Sequence, residues 1–121
     1  FLEEFGNSIE VVLANNDDMA LGAIDALKTA GMENSSENWP AVLGIDGTTV
    51  GLEAVEKGEM LGTVLNDARG QASGMLELAY SLTMGTKLPK KYQLIDDKYI
   101  RMPYKIATKE NLGEIQVEQT K

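Results

Sequence analysis

Histidine and cysteine are both missing from this 121-residue sequence. Without histidine the chain lacks the side chain that most often serves as general base and metal ligand near neutral pH. Without cysteine it has no thiol nucleophile, no zinc–thiolate site and no disulfide. That second absence suits either side of a membrane and assigns no compartment. Basic residues are scarce, 11 against 19 acids, for a net charge of −8. This balance argues against nucleic acid, whose phosphates need a basic face, and against anionic membrane surfaces. No apolar stretch approaches the roughly 20 residues a spanning helix requires, and no leader peptide opens the sequence.

What is present is enough to fold. Hydrophobic residues make up 43% of the chain, which supports a core and argues against wholesale disorder. The length suits one modest domain. Phe1-Leu2-Glu3-Glu4-Phe5-Gly6 reads as the closing turn of a helix stopped by Gly6. On that reading the chain is cut from something longer.

Strand and helix patterns then alternate. Ile9 to Ala14, apolar except for Glu10, reads as a buried parallel strand. Met19 to Ala30 reads as a helix with Ala20, Ala23, Ile24 and Leu27 on one face, capped by Asn16 or Asp17 and ended at Gly31. Met32 to Pro40 is a polar loop in which Trp39 packs on the domain surface. Ala41 to Ile45 is a second strand, Asp46-Gly47-Thr48-Thr49 a turn and cap, and Val50 to Val55 a short helix ending near Gly58. Leu61 to Leu65 is a third strand. Ala68 to Met84 is a long helix with Ala72, Met75, Leu76, Ala79, Tyr80 and Leu82 facing inward. Tyr92 to Ile95 and Tyr99 to Met102 alternate around Asp96-Asp97-Lys98 as a hairpin. Tyr104 to Ala107 reads as one more strand. Thr108 caps a last turn through Leu112, and Gly113 to Lys121 is a frayed tail. The six methionines read as core filling. This order demands right-handed crossovers and a parallel α/β sheet.

Three polar junctions follow the three strands: Asn15-Asn16-Asp17-Asp18, Asp46-Gly47 and Asn66-Asp67. Carboxyl ends of parallel strands are where α/β folds place ligands. Each junction alone is accounted for by helix capping or a tight turn. Together Asn16, Asp46 and Asn66 put amides and carboxylates at one sheet edge. Sugar hydroxyls both donate and accept, so they match such a mixed set. A site of this kind also rejects analogues lacking a hydroxyl. Glu10 reads either as a solvent-facing carboxylate or as a cation ligand of the oxygen-rich type calcium uses. Arg69 and Arg101 read as surface ion-pair partners. No nucleophile–base pair is visible, so no enzyme chemistry is expected.

The blocks Ile9-Glu-Val-Val-Leu-Ala-Asn-Asn-Asp17 with Met19-Ala20, Gly44-Ile-Asp46, Gly62-Thr-Val-Leu-Asn-Asp67 with Gln71, and Arg101-Met-Pro-Tyr104 resemble the periplasmic-type sugar-binding proteins of bacterial uptake systems, their galactose/glucose-binding branch most of all. The resemblance implies an incomplete fragment of a type I periplasmic binding protein fold, with a three-layer, parallel-sheet lobe. Residues 1–67 and 104–121 would form the second lobe, and 68–103 would belong to the first. It implies that Asn16, Asp46 and Asn66 bind a monosaccharide and that Glu10 is a bidentate ligand of a structural calcium. The other calcium ligands and the sugar-stacking aromatics would lie upstream, so this stretch alone is not expected to hold the ion and carries half a cleft. Partners would be an ABC-transporter permease and a chemoreceptor, and the setting extracytoplasmic, in the periplasm or on a lipoprotein. The long helix, parted from the sheet it would pack on, would favour self-association or swapping. Two rivals share the α/β pattern. One is the effector domain of a lactose-repressor-type regulator. The other is a receiver with Asp46 as phosphoacceptor beside the acidic pair Asp17-Asp18.

Overall fold

The computed structural model describes residues 1–115. Those residues divide into two units: Phe1–Asn66 with the chain from Lys105 onward, and Asp67–Tyr104.

The first unit is a four-stranded sheet in the order β1-β2-β3-β4. Its strands are β1 (Val11–Leu13), β2 (Ala41–Asp46), β3 (Gly62–Leu65) and β4 (Lys105–Thr108). β1, β2 and β3 run parallel and β4 closes the sheet antiparallel to β3. A short helix α1 (Leu2–Phe5) precedes β1, and Gly6 ends it. Helices α2 (Asp17–Thr29) and α3 (Thr49–Glu56) are the two crossovers. The α/β class and mostly parallel pairing thus match the sequence reading; only the last strand reverses direction.

The helices form where the sequence supplies both a start and an apolar stripe. Asn16 caps α2 by accepting the Met19 N–H at 2.8 Å. Ala20, Ile24 and Leu27 then fall at helical spacing and are buried. At the other end Gly31 takes φ 82, a backbone angle that only glycine adopts without cost. Its N–H reaches Lys28 O and the Met32 N–H reaches Leu27 O, the paired bonds of a Schellman ending. Thr48 caps α3 through Gly51 N.

Alternation along the strands sorts the two sheet faces. Val42, Gly44, Thr63, Leu65 and Ala107 are buried with Ile24, Leu52, Val55 and Met60. On the opposite face Val11, Leu13 and Ile106 are exposed, Leu13 by 77%. β1 is therefore an edge strand with one open face rather than the fully buried strand its composition suggests, and it is shorter than Ile9 to Ala14. Bonds from Ala41 N to Glu10 O and from Ala14 N to Leu43 O nevertheless carry its pairing one residue past each end. Trp39 is half-buried against the core and donates Nε1–H to Glu59 O at 3.1 Å, in keeping with a packing role. Beyond β4 Thr108 does not act as the cap. Instead Asn111 Oδ1 accepts the Thr108 N–H, and Asn111 Nδ2 donates to Ile106 O. Leu112 and Ile115 are buried in the core, so the chain is still packed at 115; the rest of the tail expected at 113–121 lies outside the described residues.

The second unit is the helix α4 (Ala68–Met84) with the segment that follows it. Asp67 caps α4 by accepting Gly70 N–H at 2.8 Å, and Gly85 ends it. The bounds agree with the sequence pattern, but the expected inward face does not. Met75, Leu76, Tyr80 and Leu82 are exposed, Leu76 by 73%, and Gly74 and Ser81 are the buried positions. The apolar stripe finds no sheet in this unit. Gly74 instead leaves room for Met102 and Tyr92. The hairpin expected over 92–102 is reduced to a single bridge, Ile95 to Tyr99. Its turn places Asp96 and Asp97 at φ 52 and 55, angles that aspartate tolerates. Of the six methionines Met60 is fully buried, whereas Met19, Met75 and Met84 are exposed, so core filling describes only part of the set. Among the described residues neither Arg69 nor Arg101 enters an ion pair, whereas Lys28 pairs with Glu59 and Lys57 with Glu53.

Candidate functional site

Parallel pairing of β1 with β2 and of β2 with β3 sets three strand-to-helix junctions side by side at one edge of the sheet. Asn16, Asp46 and Asn66 stand at these junctions, one to each. Asn16 spends Oδ1 on its cap. Its Nδ2 has no partner among the described residues. Asp46 closes β2 half-buried, and its carboxylate carries neither hydrogen bond nor ion pair among the described residues. Asn66 is exposed, and its N–H donates to Asp46 O at 3.1 Å. Two of the three rim residues are thus joined directly through backbone.

Asp46 holds φ 114. That value lies well outside the compact left-handed well that aspartate tolerates, and such a conformation costs on the order of 1–3 kcal/mol. The backbone on both sides is held, by ladder pairing of Ile45 and Asp46 with β3 before it and by hydrogen bonds after it. The peptide between Asp46 and Gly47 is pinned at both polar atoms: its carbonyl takes the Asn66 N–H, and its N–H donates to Thr63 Oγ1 at 3.3 Å. Gly47 itself sits at φ 68 against Leu65, with no room for a Cβ.

Beneath the rim lies a residue that the sequence pattern offered as a possible cap or, in the receiver alternative, as half of an acidic pair. Asp17 is completely buried. Its Oδ2 accepts the Thr48 N–H at 2.7 Å and the Thr48 hydroxyl at 3.0 Å, and its Oδ1 accepts the Thr63 hydroxyl at 2.6 Å. One carboxylate therefore ties the starts of α2 and α3 to β3. The first turn of α2 and the cap of α3 also supply the positive ends of two helix dipoles, which favour an anion there. Gly44 and Gly51 make the room: a Cβ on either would run into the Asp17 side chain. The available signal was a glycine inside a strand and another inside a short helix, a pattern that marks close approach of another group. Thr63, alone among apolar neighbours in β3, was the second clue.

This geometry removes the receiver reading. A phosphoacceptor site needs its acidic pair to hold a divalent cation, whereas Asp17 is enclosed and engaged with two threonines. Glu10 is exposed on the run into β1. A single carboxylate supplies at most two of the six to eight oxygens calcium takes. Among the described residues no three acids or histidines group as a metal site. The donor set described here does not fit a calcium ion on its own.

The profile of the periplasmic binding protein domain matches residues 1–87. The chain is 37% identical over 110 residues to the D-galactose/methyl-galactoside binding periplasmic protein MglB of Haemophilus influenzae, covering 89% of this chain and 31% of that protein. It is 39% identical over 111 residues to a putative rhizopine-binding protein of Rhizobium meliloti, covering 92% and 32%. The crystal structure of an ABC transporter solute binding protein from Bacillus halodurans with bound myo-inositol superposes with a TM-score of 0.73 at 34% identity, covering 97% of this chain and 37% of that one. The chain spans about a third of the length of the relatives it matches. These relatives are binding proteins rather than enzymes, in line with the lack of a nucleophile–base pair. On the profile match and on the parallel sheet with its strand-end junctions, the chain belongs to the periplasmic binding protein family.

Proposed function

We propose that Asn16, Asp46 and Asn66 form one wall of a sugar-binding cleft, and that the chain is part of the solute-binding component of an ABC-type sugar uptake system. Asp46 carries this reading. A strained aspartate whose carboxylate has no partner among the described residues, pinned at a strand end beside Asn66, has no structural use that an unstrained residue would not serve better. Strain is retained where a group must be presented. Carboxylate and amide groups together suit vicinal hydroxyls.

D-galactose or D-glucose is the proposed substrate, on the similarity to the galactoside-binding relative. The rhizopine- and inositol-binding relatives make polyhydroxylated rings the broader class. In the proposed cycle the strand-end rim meets an opposing lobe across the sugar, and residues 68–103 belong to that lobe. Closure by a hinge then presents the loaded protein to a membrane permease and to a chemoreceptor. The setting is extracytoplasmic, periplasmic or tethered as a lipoprotein. Glu10 enters as one calcium ligand whose companions lie outside the described residues. A calcium titration of the full-length product that behaves identically in Glu10→Gln removes it. The exposed face of α4 supports self-association or swapping of the 121-residue chain taken alone.

Calorimetric titration of the full-length product with D-galactose, D-glucose, D-ribose and myo-inositol tests the central claim. One of these sugars should bind, and Asp46→Ala should weaken that sugar by about ten- to a hundredfold, as loss of a charged hydrogen-bond partner implies. Unaltered affinity in Asp46→Ala takes Asp46 out of the cleft.

A further inference from the structure

Asp17 and Thr63 are buried and stand one layer below the rim. Their bonds nevertheless lead directly to Asp46. The Thr63 hydroxyl has one proton, and that proton is committed to Asp17 Oδ1. With the proton fixed, an oxygen lone pair is left for the Gly47 N–H. The Gly47 N–H belongs to the same peptide as the Asp46 carbonyl, whose oxygen is held by Asn66. A peptide held at both polar atoms cannot rotate, which fixes ψ of Asp46 and φ of Gly47. With the preceding residues held in the β2–β3 ladder, the Asp46 backbone keeps its φ of 114 and its Cα–Cβ bond keeps one direction.

We infer that Asp17 and Thr63 are positioning residues for sugar recognition: the buried carboxylate orients the Thr63 hydroxyl, which locks the Asp46–Gly47 peptide and aims the Asp46 carboxylate. This rests on the reading of Asp46 as a sugar contact. It goes further by assigning the control of affinity to a pair that never meets the ligand. Polarity is the core of the idea. A neutral amide at position 17 has one acceptor and one donor end. Either way round, it opposes a donor to Thr48 or turns the Thr63 proton toward Gly47.

The test uses the full-length product and the tightest binder among D-galactose, D-glucose, D-ribose and myo-inositol. Affinities are measured well below the melting temperature, and melting curves are recorded for every variant. Thr63→Val removes the hydroxyl at nearly constant shape and should weaken the sugar about tenfold or more, the worth of a lost buried hydrogen bond. Thr63→Ser restores the hydroxyl and should stay within about threefold of the parent. Val55→Ala, a fully buried core position away from the rim, supplies the control: it lowers the melting temperature and should leave affinity unchanged. Asp17→Asn carries the same comparison and replaces Thr63→Val should that variant fail to fold. Parent-like affinity in Thr63→Val or Asp17→Asn overturns the inference, as does an equal loss in Val55→Ala. If the parent binds none of the sugars, or Asp46→Ala binds as the parent does, the cleft reading falls and the positioning role falls with it. If Asp46→Ala weakens binding and Thr63→Val does not, the cleft stands and only the positioning role is lost.

Discussion

The Asp17 carboxylate accepts the Thr63 hydroxyl at 2.6 Å, across 46 positions of sequence and from one end of the fold's alternation to the other. A single buried carboxylate thereby joins the start of α2 to the third strand at the edge where the polar junctions gather.

That bond and its two companions to Thr48 predict a large stability cost for Asp17→Ala. Thr48 N–H, the Thr48 hydroxyl and the Thr63 hydroxyl would all lose an acceptor in a buried setting. The expected loss is about 3–5 kcal/mol, read from urea denaturation. A loss below about 1 kcal/mol would mean that the network contributes little to the fold.

Two helix glycines should respond in opposite directions to alanine. Gly22 lies within α2 with nothing near its missing Cβ, so Gly22→Ala should stabilise by about 0.5–1 kcal/mol through helix propensity. Gly51 lies in α3 with the Asp17 carboxylate where its Cβ would go. Gly51→Ala should destabilise by about 1–3 kcal/mol through overpacking. Melting curves on the pair decide it, and equal shifts would contradict the close approach of Asp17.

Asp46→Gly should separate stability from recognition. Glycine tolerates the φ that strains aspartate, so the fold should gain on the order of 1 kcal/mol. The carboxylate is gone, and sugar affinity should fall about as far as in Asp46→Ala. A variant that is no more stable than the parent would show that the strain is small.

The exposed stripe of α4 predicts concentration-dependent association of the 121-residue chain. Sedimentation velocity should show larger species as concentration rises. Leu76→Lys with Leu82→Lys should shift the chain toward monomer, since both side chains are exposed and large apolar patches drive association. A monomer at all concentrations in the parent sequence would count against it.

The alternation of apolar runs with polar junctions made β2, α3 and α4 legible, because each has both a stripe and a stop signal. α4 was readable to the residue: Asp67 and Gly85 cap a run with no internal proline. Apolar composition says that a segment prefers burial but does not say by what. For that reason β1 and the stripe of α4 were read as covered when each has an open face. The alternation over 92–102 failed for a related reason, since a strand needs a partner in register and only Ile95 and Tyr99 meet. At the rim, Asn16, Asp46 and Asn66 could be placed on one edge from topology alone. Asp17 could not be told from its polar neighbours. Its burial depends on Thr63 and on the space left by Gly44 and Gly51, all distant in sequence.

β3 and β4 are antiparallel neighbours, with Leu65 opposite Lys105. The chain therefore leaves the first unit and re-enters it at two backbone positions that already face each other. In effect residues 67–104 are a detour spliced into the tip of a β-hairpin. Cutting the detour out and following Asn66 with one glycine would recreate the Asn-Gly turn that tight hairpins prefer. The expected product is a self-sufficient miniature of the first unit, with the cooperative melt and native-like amide spectrum of a closed sheet.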